Sequence, residues 1–377
     1  MSVGEVVDGH RLVVCVGTGG VGKTTLAAAI ALGGALRGRR AMVLTIDPAH
    51  QLARALGLES LAPQGERVAG SVLAAAGLAP AGTLHAAMLD QRRAWDSFVE
   101  RHAPDEEVRD GILHNPFYRQ LSSSFAGALE YVAIEELCRM VESRDYDLIV
   151  LDTPPTGGAL DFLRAPERID RLILDPETLS WLSRPLSQLG RGLGRAAAAT
   201  ATAILRQLAR ATGTRTLKEV SALFAALADL RGDIGRRTEE ARALLRGPAT
   251  AFVLVAPPDE GALAELGSLA EGLRQMGAPL RALILNRVHP LPEAGPGDPG
   301  ALHPVLVEAG IDAEAIAWLE EAYAEAVRTA GVEEACWRDL GRATPEPIAR
   351  ARVPELDRDL HRLEDLATVS DHLWKER

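Results

Sequence analysis

Short unbroken apolar runs alternate along the chain with longer stretches of helical periodicity. Arg11 to Val16 (RLVVCV) reads as a buried strand, followed by a glycine-rich turn and an alanine-rich helix from Thr24 to about Leu36. Ala41 to Ile46 is a second strand, running into Asp47-Pro48, and Thr83 to Leu89 a further one. Between them, Leu61 to Gly82 carries Pro, Gly and Ala without clear periodicity and reads as loop with short helices. A mostly helical insert, Asp90 to Ser143, precedes the strand Asp147 to Leu151 (DLIVL). From Arg168 to Leu245 no strand is indicated. Leu179, Leu182, Leu186, Leu189 and Leu193 fall at three- and four-residue spacing, as do, nearly, Leu217, Val220, Leu223, Leu227 and Leu230. These are helical faces, the first interrupted by Pro185. Strands return at Ala251 to Val255 and Leu280 to Leu285 around a helix of about Asp259 to Met276. Pro290 to Gly300 is a surface loop by composition. Helical patterns follow through Ala330, then a short strand near Pro345 to Ala349 and a final helix near Glu355 to Thr368. Buried strands alternating with helices imply a parallel sheet covered on both faces.

Composition narrows the class. Hydrophobic residues make up 47% of the 377, enough for a large core, and Asp+Glu outnumber Lys+Arg 52 to 41, a net charge of -11. That balance argues against general nucleic-acid binding, which needs basic surface to displace counterions. The first ten residues hold Glu5 and Asp8 and no basic segment ahead of an apolar stretch, so no secretory signal is expected. The longest uncharged apolar runs, Thr24 to Leu36 and Ala196 to Leu205, fall short of the roughly 18–20 residues of a membrane span. Cys15, Cys138 and Cys336 lie far apart with no CxxC pair, suggesting neither a disulfide framework nor a zinc clip. The expectation is a soluble, cytoplasmic protein. Of the 41 basic residues only Lys23, Lys218 and Lys375 are lysine. A position that keeps lysine in an arginine-using chain calls for a slim ammonium rather than a planar fork.

Gly17-Thr18-Gly19-Gly20-Val21-Gly22-Lys23-Thr24 satisfies GxxxxGK[ST], directly after a strand and opening a helix. In such a P-loop the glycines let backbone N–H groups turn inward around phosphates, and the helix N-terminus adds its positive end. Lys23 then reaches the β- and γ-phosphates of ATP, and the Thr24 hydroxyl ligates Mg²⁺. Leu148 to Leu151 carries the chain through the sheet and releases Asp152 at its C-terminal edge, where ligands of open α/β sheets gather. Asp152 either holds Mg²⁺, directly or through water, or begins an ordinary strand-to-helix turn. The stretch Thr153 to Gly158, stiff and then permissive, suits a loop that switches with the γ-phosphate. Asp47 either orients the attacking water in line with that phosphate or caps the following helix, and both roles can hold. His50 reads as a loop or capping histidine, and Cys15 as a small buried strand residue. The fold class expected is thus α/β: a P-loop NTPase with a mostly parallel, doubly wound sheet and an inserted helical lobe. Residues 1–89, 144–167 and 246–377 form the nucleotide-binding domain; 90–143 and 168–245 form the lobe.

The set GTGGVGKTT, TIDPAH, DTPPTGGALDFL and LILNRVHP resembles the arsenite-pump and tail-anchored-protein-targeting ATPase family, deviant P-loop dimers related to the nitrogenase iron protein and to septum-site and partition ATPases. NPFYRQLSSSFAGALEYVAIEEL resembles the insert of bacterial members. The resemblance spans most of the chain and implies that ATP and Mg²⁺ are enclosed between two protomers. It assigns phosphate and Mg²⁺ to the loop Gly19, Gly20, Val21, Gly22, Lys23, Thr24 and Thr25, water positioning to Asp47, and the second switch to Asp152. It matches Asn286 to the asparagine that reads adenine, a task suited to an amide that donates and accepts; taken alone, Asn286 reads equally as a strand-end turn residue. Val353-Pro354-Glu355-Leu356 resembles the loop that closes over the base.

Three departures from the family pattern matter. Relatives carry a second P-loop lysine, which crosses to the partner's phosphates, where this chain has Thr18. The paired cysteines that bind zinc at the dimer interface are absent, as is a three-cysteine metalloid site, so neither zinc nor arsenite stimulation is expected. In targeting relatives two helical lobes form an apolar groove. The leucine stripes at 179–193 and 217–230, with Phe117, Tyr118, Leu121 and Phe125, are either such a groove or ordinary helix-packing core. Two functions follow: a dimeric Mg-ATPase that closes around a hydrophobic protein or membrane-partner client, or an ATP-binding regulatory subunit paired with a paralogue that keeps the lysine missing at Thr18.

Overall fold

The computed structural model describes residues 2–46, 51–63, 65–118, 128–154, 160, 162–165, 219, 222–223, 225–227, 230–289, 303–343, 348–356 and 362–375. In chain order the elements are α1 (Val3–Gly9), β1 (Leu12–Gly17), α2 (Lys23–Leu36), β2 (Arg40–Thr45), α3 (Gln51–Ala55), β3 (Glu66–Arg67), α4 (Gly70–Ala75), β4 (Thr83–Met88), α5 (Gln91–His102), α6 (Glu106–Leu113), α7 (Ala128–Ser143), β5 (Leu148–Asp152), α8 (Arg231–Arg246), β6 (Thr250–Ala256), α9 (Glu260–Gln275), β7 (Leu280–Val288), α10 (His303–Glu308), α11 (Ala313–Ala343), β8 (Ala349–Pro354) and α12 (Leu363–Trp374). They divide into two compact units, one of Met1–Met88, Asp145–Ala159 and Pro248–Arg377, the other of Leu89–Arg144 and Leu160–Gly247.

The first unit is built on an eight-stranded sheet of order β3-β4-β2-β5-β1-β6-β7-β8, parallel throughout except for the two-residue edge strand β3. Both faces are covered. Val13, Cys15, Val43, Val150, Val253 and Ile284 pack into one core cluster, while Leu12, Val14, Leu44, Leu151, Leu254 and Leu285, which alternate with them, are equally buried. Two buried faces are why these strands read as continuous apolar runs. The chain leaves β1 for β2 on one side and leaves β5 for β6 on the other. Adjacent strands β1 and β5 therefore flank the point where strand order reverses, which is where open α/β sheets bind ligands.

Helix α2 lies against this sheet as an Ala- and Gly-rich rod, buried from Leu26 through Ala35. Its small residues permit close approach. A Cβ on Gly33 would come 2.3 Å from Ser370 Oγ and 2.5 Å from the Trp374 ring of α12. Trp374 is held there by the Arg37 guanidinium, 4.2 Å from its ring centroid, and by donating Nε1–H to Asp8 Oδ2 at 3.2 Å. Gly33→Ala is expected to destabilise the protein by about 1–3 kcal/mol, the usual overpacking cost. Denaturant unfolding checks this, and an unchanged midpoint would mean the α2–α12 seam yields freely.

Some elements differ from expectation. The last strand is Ala349–Pro354, later than the expected Pro345 to Ala349; residues 344–347 lie outside the described residues. The final helix begins at Leu363, because Glu355 stays with the sheet and donates its N–H to Val288 O at 2.9 Å. Helix α11 continues past Ala330 to Ala343. Helix α1 and strand β3 went unread; α1 opens with a capping box in which Ser2 and Glu5 bond each other's backbone N–H at 3.1 and 2.7 Å.

The described part of the second unit is helical. Trp95, Phe98 and Tyr131 from α5 and α7 form a ring cluster with centroids 5.8–5.9 Å apart. Arg237 of α8, nearly buried, donates to Glu135 of α7 at 2.9 Å and to Glu142 and Glu240 at 2.6 and 2.7 Å. Burial works to raise the Glu135 pKa, and His102 and Arg237 overcome it. Of the apolar stripe at 217–230, Leu223, Leu227 and Leu230 are core, as is Tyr118, whose hydroxyl donates to Asp96 at 2.9 Å. Leu121, Phe125, Leu217, Val220 and the stripe at 179–193 lie outside the described residues. Among the described residues no helix is long and apolar enough to cross a membrane.

Candidate functional site

Because β1, β2, β5 and β7 run parallel, their C-terminal ends share one edge of the sheet. The P-loop leaves that edge from β1. Gly17 must be glycine, since a Cβ there would sit 2.3 Å from the carbonyl oxygen of Val255 in the adjoining strand. Gly22 is the N-cap of α2 at φ 88°, a left-handed conformation that L side chains rarely adopt. Gly19 and Gly20 form the exposed crest of the loop, and Val21 anchors it in the core. Lys23, only 5% exposed, folds back across the loop and donates Nζ–H to the Thr18 carbonyl at 2.6 Å. Thr18 thus receives Lys23 on its backbone.

Asp152, the last residue of β5, is buried and gathers two hydroxyls: its Oδ2 accepts from Thr24 Oγ1 at 2.7 Å and from Thr45 Oγ1 at 2.9 Å. Thr153 donates its hydroxyl to the Cys15 carbonyl at 2.8 Å, pinning the exit of β5 to β1. Burial, reinforced by the charge of Asp152, pushes the Cys15 thiol far above its ordinary pKa, so it is a packed strand residue rather than a nucleophile. Thr45 escaped the sequence reading. The available signal was a hydroxyl residue closing an otherwise apolar strand two positions before Asp47. Asp47 itself, with Pro48 to His50, lies outside the described residues, as do Pro155 to Ala159 of the second switch.

On the far side of the loop, β7 breaks register with β8 between Asn286 and Val288, and Arg287 takes φ 64°. The break turns Asn286 inward, 5% exposed, where Nδ2 donates to the Val21 carbonyl at 2.8 Å. His289 then meets two carboxylates: its backbone N–H and Nδ1 lie 2.8 and 2.6 Å from Glu333, and Nε2 lies 3.1 Å from Glu355. The bond to Glu333 and the charges of both carboxylates raise the His289 pKa against a modest opposing effect of burial. In the segment expected over the base, Val353 and Pro354 close β8 and Glu355 is this partner of His289.

The arrangement fits the groups the sequence implied. Gly20 and Gly22, both at positive φ, and a helix N-terminus present backbone N–H groups to an anion, with the buried Lys23 ammonium beside them. The oxygens of Thr24, Thr45 and Asp152 are hard donors that suit Mg²⁺. Among the described residues no group of three or more His, Cys, Asp or Glu could hold a metal ion. Residues 10–298 match the family described as Anion-transporting ATPase. The chain belongs to that family. It is similar to the ATPase GET3 of Malassezia globosa, 27% identical over 278 residues that cover 74% of this chain and 72% of the relative. Matches of 25% and 24% identity to ATPase get3 of Aspergillus terreus and of Aspergillus niger each span 273 residues, 72% of this chain and 71% of the relative. This protein is accordingly an ATP hydrolase on a P-loop α/β fold.

Proposed function

We propose that this ATPase works as a cytoplasmic dimer that encloses MgATP and couples its binding and hydrolysis to closure around a hydrophobic protein or membrane-partner client. The observation that carries the hydrolytic half is the convergence of Lys23, Thr24, Thr45 and Asp152 at the β1–β5 switch point. In this reading Gly19 to Thr25 hold the phosphates, with Lys23 neutralising charge that develops on the transferred group. Thr24 and Asp152 hold Mg²⁺, which draws charge from the phosphate oxygens when bound. Asp47 orients the attacking water in line with the γ-phosphate. Asn286 lies at the adenine end. The nucleotide-binding domain is 1–89, 144–167 and 246–377, and the lobe of 90–143 and 168–245 supplies the client surface. Support for the client rests on the motif resemblance to targeting ATPases.

Thr18 favours a second reading. Its side chain offers no cation to a neighbouring protomer, and its carbonyl is taken by Lys23. An ATP-binding regulatory subunit, paired with a paralogue that supplies the missing lysine, accounts for that feature. Steady-state MgATP hydrolysis by the purified chain, with its mass in solution and Lys23→Met as blank, separates the two. Turnover in a nucleotide-bound dimer supports the self-sufficient ATPase; tight binding without turnover supports the regulatory subunit. In the first case Asp47→Asn is expected to preserve MgATP binding and lower turnover at least about tenfold. Unchanged turnover would reduce Asp47 to a helix cap.

A further inference from the structure

Of the four side chains that converge at the switch point, Lys23, Thr24 and Asp152 are assigned to phosphate and Mg²⁺; Thr45 is not. It is the register partner of Asp152 in the parallel pair β2–β5, so the two side chains leave the same face of the sheet. Ala41 and Val43, which precede it on that face, belong to the apolar core, and Thr45 itself is only 2% exposed. A valine would fill that volume in a strand without the cost of burying a hydroxyl. The hydroxyl instead donates to Asp152 Oδ2 at 2.9 Å, the same oxygen that accepts from Thr24 Oγ1 at 2.7 Å. The backbone continues the contact, with Ile46 N–H donating to the Asp152 carbonyl at 3.4 Å.

We propose that Thr45 is a positioning residue of the metal side of this site: its hydroxyl fixes the rotation of the Asp152 carboxylate, so that the carboxylate stays turned toward the Thr24 hydroxyl. This rests on the assignment of Thr24 and Asp152 to Mg²⁺ proposed above. The terminal torsion of an aspartate is soft and roughly two-fold. One donor on Oδ2 leaves the carboxylate plane to swing about that oxygen; a second donor from another element removes the freedom. Threonine suits the task because two heavy atoms on its Cβ stiffen χ1, and a hydroxyl bonded to a carboxylate makes one of the stronger hydrogen bonds. Thr24 lies in the first turn of α2, Thr45 at the end of β2 and Asp152 at the end of β5. The carboxylate is therefore held between the helix that the P-loop opens and a strand outside that loop.

The test measures binding rather than turnover, using the full chain and an ATP analogue with an imido β–γ bridge, once in EDTA and once in Mg²⁺. Thr45→Val keeps the shape and loses the donor. Its affinity in Mg²⁺ is expected to fall about tenfold, the low end for a hydrogen bond to a charged group, while affinity in EDTA stays within about twofold. Thr45→Ser returns the hydroxyl and is expected to recover affinity in Mg²⁺ to within about threefold of wild type. Equal losses of Thr45→Val in EDTA and Mg²⁺ would overturn the proposal, since a distorted loop loses both alike. Unchanged affinity in both would also overturn it, leaving the hydroxyl a bond of the fold that only the thermal midpoint registers. Asp152→Asn, measured alongside, then shows what failed: weakened in Mg²⁺, it confines the failure to Thr45; unchanged there, it removes the Mg²⁺ assignment as well. Should Thr45→Val not fold, Thr45→Ser and Thr45→Cys are compared, since they differ in donor strength at similar size. A loss specific to Mg²⁺ in the cysteine variant alone supports the proposal; equal affinities overturn it.

Discussion

Lys23→Arg is expected to lower kcat/KM for MgATP about 10³-fold, the scale of losing a donor aimed at transition-state charge. The charge is kept, so the loss is one of shape. The loop around Lys23 cannot widen: Gly17 is pressed against the Val255 carbonyl, and Gly22 against the Asn286 amide. Within that ring the ammonium reaches the Thr18 carbonyl at 2.6 Å as a point donor on a slim stem. A guanidinium is planar and wider, and its five donors require partners that a phosphate cradle of backbone N–H groups does not supply. The side chain is thus expected either to distort the loop or to leave the cradle. Nucleotide titration and steady-state kinetics measure both. Affinity and turnover within about threefold of wild type would place Lys23 outside the phosphate site.

The second large effect is expected at Asp152. Asp152→Asn keeps an oxygen that can accept from Thr24 and Thr45, so the buried cluster at the end of β5 stays bonded and the fold persists. What it removes is the negative charge. Mg²⁺ dehydrates reluctantly and selects charged oxygen donors, and this is the carboxylate that the switch point brings beside the Thr24 hydroxyl. Turnover is expected to fall on the order of 10²-fold, with the Mg²⁺ requirement shifted to higher concentration. Hydrolysis titrated with Mg²⁺ at fixed ATP reads both. A variant with an unaltered Mg²⁺ dependence would make Asp152 a strand-end capping group. Asp152→Ala is the less informative substitution, because it removes the acceptor of both hydroxyl bonds along with the charge.

The strands and the P-loop were legible because each is a local pattern. LVVCV, AMVL and LIVL are unbroken apolar runs, as doubly covered parallel strands are, and GxxxxGK[ST] lies where a strand meets a helix. Asp152 was legible for the same reason, as the first polar residue after such a run. Thr45 was not, since a single threonine at a strand end has no spacing that marks it. The place of Asn286 at the end of β7 could be read, but its bond to Val21 depends on a register break and on tertiary distance that no local pattern encodes. Helical periodicity located the faces of Leu223, Leu227 and Leu230 without distinguishing a groove from a core; burial assigns them to the core. The final strand was placed too early: it runs Ala349–Pro354, past the proline-rich segment where it was expected to lie.

Helix α12 seals the outer flank of α2, the helix that carries Lys23 and Thr24, with Trp374 and Ser370 seated on Gly33. A ribosome makes α2 almost at the start of this sequence and α12 almost at its end. Until residues 363–374 are made, the Gly33 face of α2 therefore lacks this cover, in a parallel sheet whose strands also arrive out of spatial order. A nascent chain of this ATPase passes through a long interval in which its P-loop sequence exists but its P-loop structure is unfinished.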